Sequence, residues 1–176
     1  MPQSERLPHT ARTEAARLPL LRVVVGFVAG FLSVLTVQMA TIAILQAAGA
    51  AVPFAPWSMA PVPPLGVPQS LSAAFWGGLW GLAYALLEPK LTARLGWLAG
   101  GVVFGAVLPL LFLWFVVFPL KGLPVGGGFA LSGVLKGIVL HAAFGLGVAI
   151  FFRFGCRLGG RRDSLAPADP SDRSQD

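Results

Sequence analysis

Charge is what this sequence is short of. From Val23 to Leu87 there is no Asp, Glu, Lys or Arg. Over all 176 residues only 11% are charged, against roughly 25% in an average soluble domain. No water-facing surface of that length does without charge, so the chain reads as one dissolved in lipid. Cysteine is nearly missing as well. Cys156 is the single one, which excludes an internal disulfide and every CxxC redox or zinc motif. Acids and histidines are scarce where chemistry would need them: the long apolar runs hold no Asp or Glu, and His141 is their one histidine.

These absences exclude whole classes of reaction. Zinc takes three or four ligands, and a bis-histidine haem would need a second buried histidine, whereas His9 lies in the tail. A serine protease would need a preformed Ser/His pair. Ser132 is nine residues from His141, about 13.5 Å along a helix axis. A small proton-coupled exporter would need a carboxylate inside the bilayer, and no Gly-rich phosphate loop carries its Lys-Ser/Thr ending. No catalytic residue, metal ligand or cofactor is therefore expected, and the chain is read as no enzyme.

What is present is apolar length. The chain is 56% hydrophobic, and a helix needs about 20 apolar residues to cross a bilayer. Four runs qualify: 21–48, 70–87, 95–118 and 131–152. Helices are the right reading, because open strands would leave backbone groups unsatisfied in lipid. The expected fold is all-α: a polytopic, four-transmembrane-helix bundle at 21–153, with a cytoplasmic tail at 1–20 and a disordered cytoplasmic tail at 154–176.

The net charge of +6 and pI near 10.8 do not point to nucleic acid, since the basic residues flank apolar runs. With the N-terminus inside, eleven Lys and Arg fall on the inner side and only Lys121 and Lys136 on the outer. That bias places both termini in the cytoplasm. The first apolar run is about 26 residues, too long for a signal-peptide core of about 7–15. Glu5 and Glu14 argue against an organellar transit peptide. Residues 1–16 could form a short surface helix between Pro8 and Pro19, its arginines meeting anionic headgroups. At the inner turn, Glu88 is expected to pair with Lys90 or Arg94.

The first outer loop, "GAAVPFAPWSMAPVPPLGVPQ" at 49–69, has six prolines and no charge. Proline removes donors and favours extended backbone. With Phe54, Trp57 and Met59 it should lie in the headgroup layer or fold back over the bundle, as a rigid connector or a docking surface. In the second outer loop, Gly126, Gly127 and Gly128 supply a turn. Lys136 should snorkel outward.

Helices in lipid associate through small residues. Each run has glycines at fourfold spacing: Gly26 and Gly30, Gly77 and Gly81, Gly96 and Gly100, then Gly133, Gly137 and Gly145. Gly101 and Gly105 form an offset pair. His141 falls in the last row, so it should point into a helix contact and need a polar partner. Gln38, equally deep in the first run, is the best candidate, with Tyr84 as a third member. Such a cluster has two readings: structural glue, or a proton or ligand site lining a path.

The runs "GFVAGFLSVLTVQMATIAIL", "FAPWSMAPVPPLGVPQSLSAAFWGGLWG" and "FPLKGLPVGG" together resemble a family of small uncharacterised four-helix inner-membrane proteins of proteobacteria, over about residues 22–150. That resemblance implies a fold and a location, and no site residues. The expectation is a structural, accessory or assembly subunit of a bacterial inner membrane. Its partners would be the lipid bilayer and a second copy or a larger membrane complex. A small oligomeric transporter or channel subunit is the alternative.

Overall fold

The computed structural model describes residues 9–52 and 54–163. Four long helices account for most of them. α1 runs His9–Ser33, passes through one π turn at Val34–Gln38 and ends with Met39–Ala47. α2 is Gln69–Leu95. α3 runs Trp97–Phe112, a π turn at Leu113–Val117 and a last turn at Phe118–Leu120. α4 is Leu131–Asp163. In the connection from α1 to α2, β1 (Pro61–Val62) pairs antiparallel with β2 (Val67–Pro68). Each long helix contains a stretch long and apolar enough to cross a membrane: Leu20–Ala47, Gln69–Leu95, Trp97–Leu120 and Leu131–Gly159.

The helices extend past the expected ends of the runs. Residues 154–163, expected in a disordered tail, continue α4; the rest of that tail and residues 1–8 lie outside the described residues. The chain is helical from His9 straight into the first run, with no separate surface helix. The inner turn expected at 88–94 is helical too, with Pro89 inside α2. The reversal falls instead at Gly96, at φ 78° and ψ 161°, a region that side chains avoid and glycine accepts. Gly96 was expected in a packing face. A Cβ there would meet nothing within 4 Å, so it serves the turn.

α1 packs on α2 and α3 on α4; α1 with α4 and α2 with α3 close the ring. The two hairpins are clasped in the same way. In the first, a Cβ added at Gly26 would lie 2.6 Å from the Gly81 carbonyl oxygen and 2.7 Å from Ala85 Cβ. One added at Gly30 would collide with the Gly77 carbonyl. In the second, a Cβ at Gly101 would lie 2.7 Å from the Gly145 carbonyl oxygen and collide with Ala149, and one at Gly105 would collide with the His141 carbonyl. Gly26 thus corresponds to Gly101, Gly30 to Gly105, Gly81 to Gly145 and Ala85 to Ala149. His141 stands where the first hairpin has Gly77.

Glycines take the close helix contacts, and bulky apolar side chains also cover the outside. Val24, Val28 and Leu32 on α1, Val103, Val107 and Leu111 on α3, and Leu135 and Val139 on α4 are exposed at fourfold spacing. Between the hairpins the centre is filled by larger buried side chains, among them Met39, Ile42, Tyr84, Phe104 and Val148. Gly100 sits against Leu91, and Gly137 against Leu110 and Trp114. Gly133, also expected to pack, has open space where its Cβ would be.

Two classes of glycine should therefore respond oppositely to substitution. Gly30→Val and Gly105→Val each force backbones apart and should lower stability by about 1–3 kcal/mol or more. Gly133→Ala should be neutral or stabilising by up to about 1 kcal/mol, through helix propensity. Thermal melting in mild detergent measures both.

Candidate functional site

Gln38, His141 and Tyr84 do not assemble as expected. Facing positions of α1 and α4 set their register: Gly147 meets Ser33, and Gly155 meets Val25. That register brings Gln38 within about one residue of the His141 level. The imidazole nonetheless turns along its own helix, where Nδ1–H donates to Gly137 O at 2.9 Å. No hydrogen bond among the described residues joins it to Gln38. Thr36 and Thr41 likewise donate to Leu32 O and Val37 O, both at 2.7 Å. A carbonyl four residues back is always within reach in a helix, and such local bonds compete with longer-range ones.

Tyr84 belongs to another layer. It packs edge-on against Phe104 and Phe152, with ring centroids 5.1 and 5.6 Å away. Phe152 is eleven residues beyond His141, about 16 Å along the axis. The expected Gln38–His141–Tyr84 set is thus divided between two depths, and His141 lies on the glycine face because its backbone, rather than its ring, makes the contact there. Between those two depths a polar bond does join helices: Ser33 Oγ donates to Phe144 O at 2.7 Å, fully buried. Among the described residues no buried side-chain nitrogen or oxygen lacks a partner, and no three His, Cys, Asp or Glu side chains come together.

A second fixed point ties the Pro-rich connection to α1. At the π turn the Met39 N–H bonds Val34 O and Thr36 O rather than the Leu35 carbonyl an α-helix would give it. Trp57 Nε1 donates to that Leu35 carbonyl at 2.8 Å. Trp57 holds φ 49° to do so, an uncommon conformation for a bulky residue. Val52 and Phe54 pack against the core, and Ser70 Oγ donates to Ser58 O at 2.9 Å. The segment folds back on the helices. Nearby, Lys136 Nζ donates to Ala51 O at 2.8 Å.

The charged chemistry gathers at the opposite end, which carries Arg22, Glu88, Lys90, Arg94, Arg153 and Arg157. Glu88 does not pair with Lys90 or Arg94. Because α2 continues through these positions, they turn away and stand exposed. The α1–α2 clasp instead brings Arg22 to Glu88, with Nη2 to Oε2 at 2.8 Å. The other carboxylate oxygen accepts from Thr92 Oγ1 at 2.9 Å. Arg22 Cζ lies 5.3 Å from the Phe152 ring centroid, and Arg153 Cζ lies 4.8 Å from that of Trp97. Glu88, Trp97, Phe152, Arg153 and Arg157 border a cavity of about 280 Å³ between α2, α3 and α4. Sequence spacing gave no signal for it, since its walls come from positions 84 to 157.

No protein-family model, curated protein or solved structure matches this chain.

Two measurements follow from this geometry. A double-mutant cycle on Arg22→Gln and Glu88→Gln should give a coupling of about 1 kcal/mol, shrinking at high salt; a zero coupling at low salt would remove the pair. His141→Ala should shift stability by less than about 1 kcal/mol, because the bond lost lies within one helix.

Proposed function

We propose that this chain is a multi-pass protein of a bacterial inner membrane, acting as a non-enzymatic accessory or assembly subunit that packs against a second copy or a larger complex. The observation that carries the reading is the apolar exterior, exposed at fourfold spacing along the helices, together with glycine at the close helix contacts. Glycines sit where helices meet, and Val, Leu and Phe cover the outside, which is the pattern that helix association in lipid requires. All charges among the described helices from Leu20 to Gly159 lie at the two ends. The excess of Lys and Arg at the Arg22–Arg157 end supports placing that end, and both termini, in the cytoplasm.

The packed centre favours a structural role over a transport one. A path along Gln38 and His141 would need polar groups turned toward a lumen, and the imidazole is engaged by its own helix. The folded-back Pro-rich connection is a stiff surface at the other end. Stiff segments lose little entropy on binding, which suits a subunit that docks.

Reporter fusions test location and orientation. A phosphatase inserted after Gly66 should be active, and a fluorescent protein fused after residue 176 should fold and glow in the cytoplasm. Extraction in mild detergent followed by mass measurement tests the role. A second copy of the chain or a different membrane protein, at fixed stoichiometry, is the expected companion. A homo-oligomer whose melting responds to a small solute would contradict the accessory reading.

A further inference from the structure

We propose that the cavity at the basic end binds the phosphate of an anionic phospholipid headgroup, an inference that rests on the membrane reading above. Its wall carries Tyr84, Glu88, Trp97, Phe152, Arg153 and Arg157. Arg153 and Arg157 are four residues apart on α4, so they share one face. Neither forms an ion pair among the described residues, where Arg22–Glu88 is the one salt bridge. Glu88, the cavity's carboxylate, is already taken on both oxygens by Arg22 and Thr92. With Arg22 counted, three guanidinium groups face one carboxylate, and the site has cationic capacity to spare.

The geometry holds that capacity ready. Arg153 lies over the Trp97 ring, which orients its guanidinium at little entropic cost. A planar guanidinium presents paired donors that match phosphate oxygens. A phosphodiester seated between Arg153 and Arg157 would complete the local charge balance. The neighbouring surface favours a lipid over free phosphate. A second groove of about 170 Å³ shares Trp97, Arg153 and Arg157 with the cavity and adds Ile150 and Phe154. Phe154 is exposed on the outward face. An acyl chain leaving a headgroup in the cavity would run along this apolar strip, whereas inorganic phosphate would leave it unused. Basic pockets between helices on the cytoplasmic side are suited to such headgroups.

The test uses the full-length protein extracted from membranes in a zwitterionic or uncharged detergent. Its melting temperature is followed while phosphatidylglycerol, phosphatidylcholine or inorganic phosphate is titrated. Phosphatidylglycerol should stabilise and phosphatidylcholine should not. The Arg153→Gln/Arg157→Gln variant should bind phosphatidylglycerol roughly thirtyfold more weakly. Lys90→Gln/Arg94→Gln, with equal charge loss at the same end but outside the cavity, should match the parent protein. If the double variant does not fold, Arg157→Gln, whose guanidinium stacks on no ring among the described residues, should still weaken binding roughly fivefold. Stabilisation by inorganic phosphate alone, lost in the same variants, would uphold a phosphate site and assign it a soluble source. Equal responses to both lipids, with the cavity variants unchanged, would overturn the site and leave the membrane reading standing. Recovery of the protein from the aqueous fraction of lysed cells would end both.

Discussion

Backbone meets backbone twice in this bundle, at Gly26–Gly81 with Gly30–Gly77 and again at Gly101–Gly145 with Gly105–His141. Close approach is a source of helix affinity that does not depend on expelling water. With the small residues committed to these contacts, bulky side chains fill the space between the hairpins and cover the outside. The duplication of the clasp also explains the histidine. Position 141 requires a close carbonyl, and its side chain is accommodated by lying along its own helix.

The two clasps also set the registers that create the rest of the polar architecture. Gly26 against Gly81 brings Arg22 level with the last turns of α2, where it meets Glu88. Gly101 against Gly145 brings Trp97 under Arg153. The cavity between these pairs is a product of two hairpins joined side by side. Its arginines come from α4 and its carboxylate from α2, so neither hairpin contains it alone. At the other end the α1 π turn displaces one backbone bond and the Trp57 indole takes the carbonyl, so that a proline-rich segment with few backbone donors acquires a fixed position.

Much of the helical frame was legible because a charge-free apolar run of bilayer length has few other solutions. Helix ends were less so. Leu87 looked like the end of a run because charge begins at Glu88, yet helix propensity and an accommodated proline carry α2 to Leu95. Fourfold glycine spacing marks candidate faces without telling which face meets a neighbour. Gly96 and Gly133 have the spacing but sit at a turn and in open space, while the offset pair Gly101 and Gly105 makes the contact. The Arg22–Glu88 pair is 66 residues apart in sequence, and only the register of two packed helices reveals it. The Gln38–His141–Tyr84 grouping failed on a local competition: depth alone does not make a bond when a helix carbonyl is nearer.

If two glycine-clasped hairpins close into one four-helix ring, the first and last helices must lie side by side. Disulfide crosslinking in native membranes tests it most directly. Val25 and Gly155 lie on the first and last helices, and a Cβ at Gly155 would be 3.6 Å from Val25 Cβ, within disulfide range. In a Cys156→Ser background, Val25→Cys/Gly155→Cys should give an intramolecular crosslink on mild oxidation of the membranes, while Val28→Cys/Gly155→Cys should give none. Absence of the first crosslink, or its appearance only between separate chains, would contradict the ring.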